Sequence, residues 1–282
     1  MKLTNQNLSK EIIEAHKKGG VKTATPVGIE KIKSGDLSAH AFVFEFGELI
    51  GYLPSFETGM PIFKGDLWDY LSLNAQQRKY VEKRMINVMA TEIELAFMVK
   101  EIEDRYCVLS RKEAIPQLDP LKGDIEVKVI YPNQNGAWCY VNNHFVFIPR
   151  EEVFYGNPDP RDTLAQGEIY TARIYERSDD GEYYRASIKM LSADPWEAIA
   201  EEYEKKEGGG RYAPGTVRKA TVIKKLDNSD SYLVAFAPGV LGTCNVPPLR
   251  EKQSPLEKNQ MVSVRIKTMN PKKRLITGHF VV

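Results

Sequence analysis

Cationic side chains recur at strand-like spacing toward one end of the sequence. Arg218 and Lys219, Lys224 and Lys225, Arg265 and Lys267, and then Lys272, Lys273 and Arg274 all fall within residues 211–282. Arg265 and Lys267 alternate with Val264 and Ile266. A strand there turns the cations outward and the aliphatic side chains into a core. Such a line of ammonium and guanidinium groups can neutralise successive phosphates of a polyanion; a plain solvated basic surface looks the same in sequence. Two rings, Trp138 and Tyr140, lie two residues apart and share one face of a regular strand. Trp138 fits either a stacking platform for a planar base or a plug for a barrel.

Signals for catalysis are weak by comparison. Gly208-Gly209-Gly210-Arg211 lacks the Gly-Lys-Ser/Thr of a phosphate-binding loop and reads as a hinge. No serine sits in a Gly-x-Ser-x-Gly elbow, and the four histidines lack metal-ligand spacing. Asp179-Asp180 belong to a turn, where solvated acids are ordinary. The expectation is a protein that binds rather than catalyses, with no cofactor and no metal.

The chain has 282 residues and a formal net charge of +1, and that balance hides a division. Residues 211–282 carry 13 Lys/Arg against 4 Asp/Glu, residues 115–210 carry 10 against 18, and the first 114 carry 16 of each. A modular chain with one basic end fits this asymmetry. Cys107, Cys139 and Cys244 are widely separated and odd in number. They read as buried thiols in a reducing compartment, and the absence of any long apolar run adds to the expectation of a cytoplasmic protein without a membrane partner.

Periodicity places the elements that must hold these residues. A helix over residues 1–20 has Leu8, Ile12, Ile13 and Ala15 on one face, Ser9 as its cap and Gly19-Gly20 as its stop. Strand patterns then recur in three groups of five, each with a longer connection between the third and fourth strands. The first group spans 21–115, with Phe42, Phe44 and Phe46 as core, a helix inserted at 67–85, and strands at about 86–102 and 105–110. The second spans 116–193. The third spans 211–282, with strands at 215–226, 231–236, 240–247, 261–269 and 274–282. A strand ends at a proline in IGYLPSFE (50–57), VFIPREE (146–152) and LGTCNVPPLRE (241–251). Between the second and third groups, residues 194–210 read as a connector helix and glycine hinge. Asp194 caps it, Pro195 takes the first position, Glu197 completes a capping-box-like start, and Trp196 anchors it on a neighbouring barrel.

LSADPWEAIAEEY followed by GTVRKATV resembles the S-one RNA-binding domain family, the repeat of bacterial ribosomal protein S-one. Repeats there close on Leu-Ser, Asn-Pro-Trp-Glu, a short helix and Gly-x-Val. VLSRKEA (108–114) and PGVLG (238–242) are similar to other stretches of that family. The resemblance implies a mainly β chain of three tandem five-stranded OB-fold barrels with an N-terminal helix and a helical connector. It also implies binding of single-stranded RNA, such as mRNA, in translation or as an RNA chaperone.

The family's Phe-Gly-x-Phe is absent from the third group. Tyr232 offers a ring near that place, Asn245 stands where a histidine is usual, and Arg274 matches the arginine that begins the last strand. The resemblance thus adds Tyr232, Asn245, Trp138, Tyr140 and Arg150 to the cations Arg218, Lys219, Arg265, Lys267, Lys272, Lys273 and Arg274 as RNA-binding candidates. The departures keep a second reading open, an adaptor whose degenerate barrels hold a ribosomal or transcription protein.

Overall fold

The structure, a computed structural model, describes residues 5–34, 37–156, 159–207, 210–226, 230–245 and 256–281. Helix α1 (Asn5–Lys18) leads into strands β1 (Lys22–Ala24), β2 (Gly28–Ser34), β3 (Leu37–Phe46) and β4 (Leu49–Pro54). Helices α2 (Leu67–Ser72) and α3 (Ala75–Met89) follow, then β5 (Leu95–Glu103), β6 (Tyr106–Ser110) and the short α4 (Arg111–Ala114). The second group is β7 (Gly123–Asn133), β8 (Gly136–Val141), β9 (His144–Pro149), α5 (Arg150–Val153), α6 (Pro160–Thr163), β10 (Ile169–Arg177) and β11 (Tyr183–Ser187). Helix α7 (Pro195–Lys205) precedes β12 (Val217–Lys225), β13 (Ser231–Ala237), β14 (Val240–Asn245), β15 (Met261–Asn270) and β16 (Leu275–Phe280). No helix among the described residues is long and apolar enough to cross a membrane.

The chain is mainly β, and two of its sheets close into five-stranded barrels, β7-β8-β9-β11-β10 and β12-β13-β14-β16-β15. The first sheet differs from the expected closed barrel: it has six strands in the order β1-β5-β6-β4-β3-β2. Its opening segment breaks between Ala24 and Gly28, around Pro26, which has no N–H for a ladder. Before the break β1 pairs antiparallel with β5, and after it β2 pairs antiparallel with β3. One interrupted segment therefore supplies both edges. In all three sheets the third and fifth strands of the repeat pair parallel, β4 with β6, β9 with β11 and β14 with β16. The same neighbour order thus recurs three times.

Some boundaries differ from those read in the sequence. Ser9 lies inside α1 rather than capping it, and its hydroxyl donates to the Phe46 carbonyl. The inserted helix is two helices, because Asp66 and Asn74 each close a capping box and Asn74 starts a new one. Helix α3 continues to Met89, through the residues assigned to the start of a strand, since Val81, Met85 and Val88 form one buried stripe. Phe42, Phe44 and Phe46 are core, as their alternation implies, and the three cysteines are buried and free. Burial alone pushes the Cys107 and Cys244 thiols up to about 12. The proline landmark of the third group (Pro247, Pro248) and Gly208-Gly209 of the hinge lie outside the described residues.

By internal packing the chain divides into two compact units. One comprises residues 1–133, 137–148 and 164–186; the other comprises 134–136, 149–163 and 187–282. In the second unit, α7 begins with Asp194 as its cap and Pro195 in the first turn, but the Asp194 carboxylate accepts from Trp196 N at 2.9 Å rather than from Glu197 N, so the expected capping box with Glu197 does not form. The other oxygen of Asp194 accepts from the Arg274 guanidinium. Trp196 is 2% exposed within the core of the third barrel, and its Nε1 donates to the Gly239 carbonyl at 3.1 Å. Trp196→Ala removes that bond and leaves a ring-sized cavity. We expect a loss of about 3–5 kcal/mol, read by denaturant melts of the chain.

Candidate nucleic-acid interface

Strand alternation decides which cations of the third barrel face solvent. Val262, Val264 and Ile266 of β15 are buried, while Arg265 and Lys267 between and beyond them are exposed. Lys219 on β12 is exposed too, opposite Ser263, and Val217 pairs with Arg265. Lys272 and Lys273 are exposed in the turn from β15 to β16, where the Asn270 side chain accepts from Lys273 N at 3.0 Å. Lys219, Arg265, Lys267, Lys272 and Lys273 have no carboxylate partner among the described residues. They follow β15 toward its turn, with about 6.6 Å of strand between Arg265 and Lys267. Such a line can meet successive phosphates of an extended strand.

Other cations of the same barrel are already engaged. Lys224 pairs with Asp162 of α6 at 2.7 Å, Lys225 with Asp230 at 3.7 Å, and Arg211 with Glu202 of α7 at 3.2 Å. Arg218 is exposed, but its Nε donates to the Arg211 carbonyl. Arg274, expected to contact phosphate, instead pairs with Asp194 at the start of α7 and lies over the Tyr155 ring, 5.9 Å from its centroid. The reason is electrostatic: the Asp194 carboxyl is largely buried and needs a cation. Arg274 thus fixes the connector rather than extending the cationic line.

The aromatic candidates are not free to stack bases. Tyr232 shares its strand face with Val234, and both point into the barrel. Tyr232 is 4% exposed, packs edge-on against Phe280 with centroids 5.8 Å apart, and its hydroxyl accepts from Leu256 N at 3.3 Å. The outer face of β13 and β14 instead carries Ser231, Leu233 and Ala235 opposite Asn245, Thr243 and Leu241. Asn245 is exposed, and its Oδ1 accepts from the Ser231 hydroxyl at 2.9 Å.

Trp138 and Tyr140 do share a face of β8, yet each is only 7% exposed. With Phe145 they belong to the same apolar cluster as Phe42, Met85 and Phe97 of the first sheet and its helices. Trp138 packs on Phe147 and Tyr183 at 4.8 and 5.1 Å, and the Tyr140 hydroxyl donates to the Glu94 carbonyl. Arg111 reaches across this face, donating to the carbonyls of Thr58 and Asn143 at 3.2 and 3.0 Å and stacking 4.4 Å from the Phe145 centroid. Complete burial lowers its pKa to about 10. Arg150, at the start of α5, is half-buried, and its backbone N–H donates to the Asn135 carbonyl at 2.9 Å. The aromatic face of the second barrel is therefore interior to the first compact unit. Among the described residues, no group of His, Cys, Asp and Glu is arranged to hold a metal.

No protein-family model matches the sequence, and no curated protein matches it. Among solved structures, the chain is similar to one described as an a/eIF2alpha–aDim2p–rRNA complex from Pyrococcus horikoshii. The match has 17% identity over 32% of this chain and 56% of that one, with a TM-score of 0.25. It is also similar to a multidomain protein with nucleic acid binding domains from Streptococcus pneumoniae, at 9% identity over 93% and 73% of the two chains and a TM-score of 0.25. A third is the RNase R of Mycoplasma genitalium, at 10% identity over 56% and 21%, with a TM-score of 0.21. The chain thus spans a little over half of the first and about a fifth of the third. Superpositions at this level carry no weight on function, which rests on the chain's own residues.

The burial of Trp138 predicts what its removal does. Trp138→Ala should destabilise the chain by about 3–5 kcal/mol through the cavity it leaves. Any affinity for RNA, measured below the melting transition, should be unchanged by the substitution.

Proposed function

We propose that this chain is a non-enzymatic, cytoplasmic protein that binds single-stranded RNA, with its three sheets built as S-one-like OB units and the third as the RNA-binding one. The observation that carries the reading is the line of exposed cations without carboxylate partners among the described residues, Lys219, Arg265 and Lys267 on the strands of a closed barrel and Lys272 and Lys273 in the turn that follows. The resemblance of the Pro-Trp-Glu connector and its Gly-x-Val sequel supports the same assignment. A flexible single strand can follow a curved barrel face, which favours it over a rigid duplex. With Trp138, Tyr140 and Tyr232 buried, phosphate contacts supply most of the affinity, so binding is salt-sensitive and tolerant of sequence. Work of this kind suits translation or an RNA chaperone.

A second reading, a protein-binding adaptor of the ribosome or transcription machinery, draws on the helices of the first sheet. Trp68 on α2 is 71% exposed, and Tyr80 and Ile86 on α3 are exposed as well. Trp68→Ala leaves RNA binding intact under the first reading and weakens a nuclease-resistant protein complex under the second.

Fluorescence anisotropy separates RNA binding from its absence. A labelled unstructured RNA should bind more tightly than a duplex of equal length. Its log K should fall with log salt at a slope of about −3.5 if all five cations meet phosphate. Replacing Arg265 and Lys267 by alanine should make that slope shallower by about 1.4. Absence of binding even at low salt would exclude the proposal.

A further inference from the structure

Apart from one imidazole, every aromatic side chain in the described strands of the third barrel is committed to its interior. Tyr232 and Phe280 are buried, and Phe236 packs against the same core beside Tyr212, with ring centroids 5.7 Å apart. His279 is the exception among the described residues of these strands. It is exposed on β16 between buried Gly278 and Phe280, so its imidazole stands on the outer face.

The register surrounds that ring with groups of complementary chemistry. His279 is the Cα partner of Asn245 across the parallel β14–β16 pair and of Arg265 across the antiparallel β15–β16 pair. Ser231 is in turn the partner of Asn245. A single row therefore reads Ser231, Asn245, His279, Arg265 across four strands, one face of each alternating with core residues. The Ser231 hydroxyl donates to Asn245 Oδ1 at 2.9 Å, which turns the Asn245 amide so that its NH2 can donate outward. A flat π-system, a directed amide donor and a guanidinium lie side by side. They match, in order, the face of an unstacked base, the acceptors on its edge, and its phosphate.

We propose that this row is the base-contacting subsite of the third barrel, with His279 as the stacking residue, Asn245 addressing the base edge and Arg265 holding the adjoining phosphate. It moves base contact from the β13–β14 face, which presents Leu233, Ala235, Leu241 and Thr243 but no ring, to the β14–β16–β15 face. The inference rests on the RNA-binding reading above and specifies how that site distinguishes a base-bearing strand from a bare phosphate chain.

The test compares the full chain and its His279→Ala and His279→Phe variants by anisotropy, using a labelled oligo-uridine and an abasic oligonucleotide of the same length. The unaltered protein should bind the oligo-uridine about tenfold more tightly than the abasic strand. His279→Ala should remove that ratio while leaving affinity for the abasic strand unchanged, and His279→Phe should keep it. Because His279 is exposed, all three proteins should melt together, so a change in ratio reports the site and not folding. Binding of both oligonucleotides with a ratio indifferent to His279→Ala overturns the inference alone. If neither binds at low salt, the RNA-binding reading falls with it.

Discussion

The buried face between the first sheet and the second barrel sets the terms for everything else. Trp138, Tyr140 and Phe145 lie on the outer side of β8 and β9, where such a barrel would present rings to a nucleic acid. Here they form one apolar cluster with the first sheet and its helices, with Arg111 sealed among them. A guanidinium without water is costly, and this one is supported by two carbonyls, the face of Phe145 and the nearby charge of Glu182. Around its edge, Met60 N donates to Glu182 at 2.9 Å, Lys64 pairs with Asp180 at 2.6 Å, and Lys128 donates to the Thr91 carbonyl at 2.6 Å. Opening that face would expose large rings and strand a charge at once. The rings are structural.

With that face closed, the exposed cationic chemistry lies on the third barrel, whose charge is of the opposite sign to that of residues 115–210. Its own arrangement follows from packing. Trp196 and Tyr212 fill its core from the connector side, and Gly242 leaves room for the Phe236 ring, which a Cβ at that position would approach to 2.7 Å. The Arg274–Asp194 pair ties the last hairpin to the start of α7. Interior positions are thus occupied by rings and aliphatics, and the exterior keeps the cations that have no carboxylate partner among the described residues. The surface that remains suits a polyanion held mainly through its backbone.

Much of this was legible in sequence, and the reasons for the rest are physical. Alternation in 261–267 assigns faces correctly, because period two translates directly into inside and outside; in 40–46 it finds the buried phenylalanines, although Ala41 and Val43 between them are buried as well. The connector helix is legible because its cap and its first-turn proline are local signals. Tyr232 matches the family's ring only in position: its spacing from Val234 puts the two on one face, and that face is the interior. Trp138 and Tyr140 share a strand face as their spacing implies, but much of what covers that face, Phe42, Met85 and Phe97 among it, lies far away in the sequence. Arg274 and Asp194 are eighty residues apart, so no local pattern could pair them. The exposure of His279 has a sequence signal of its own, a polar ring between Gly278 and Phe280 in the last strand.

Hydrogen–deuterium exchange of the full chain, with and without a saturating single-stranded RNA, tests most directly the claim that RNA meets the third barrel and not the second. Protection concentrated in β15, β16 and their turn, with β8 and β9 unchanged, is the result this account predicts. Protection appearing on β8 and β9 instead would mean that the aromatic face opens to receive RNA, and would contradict it.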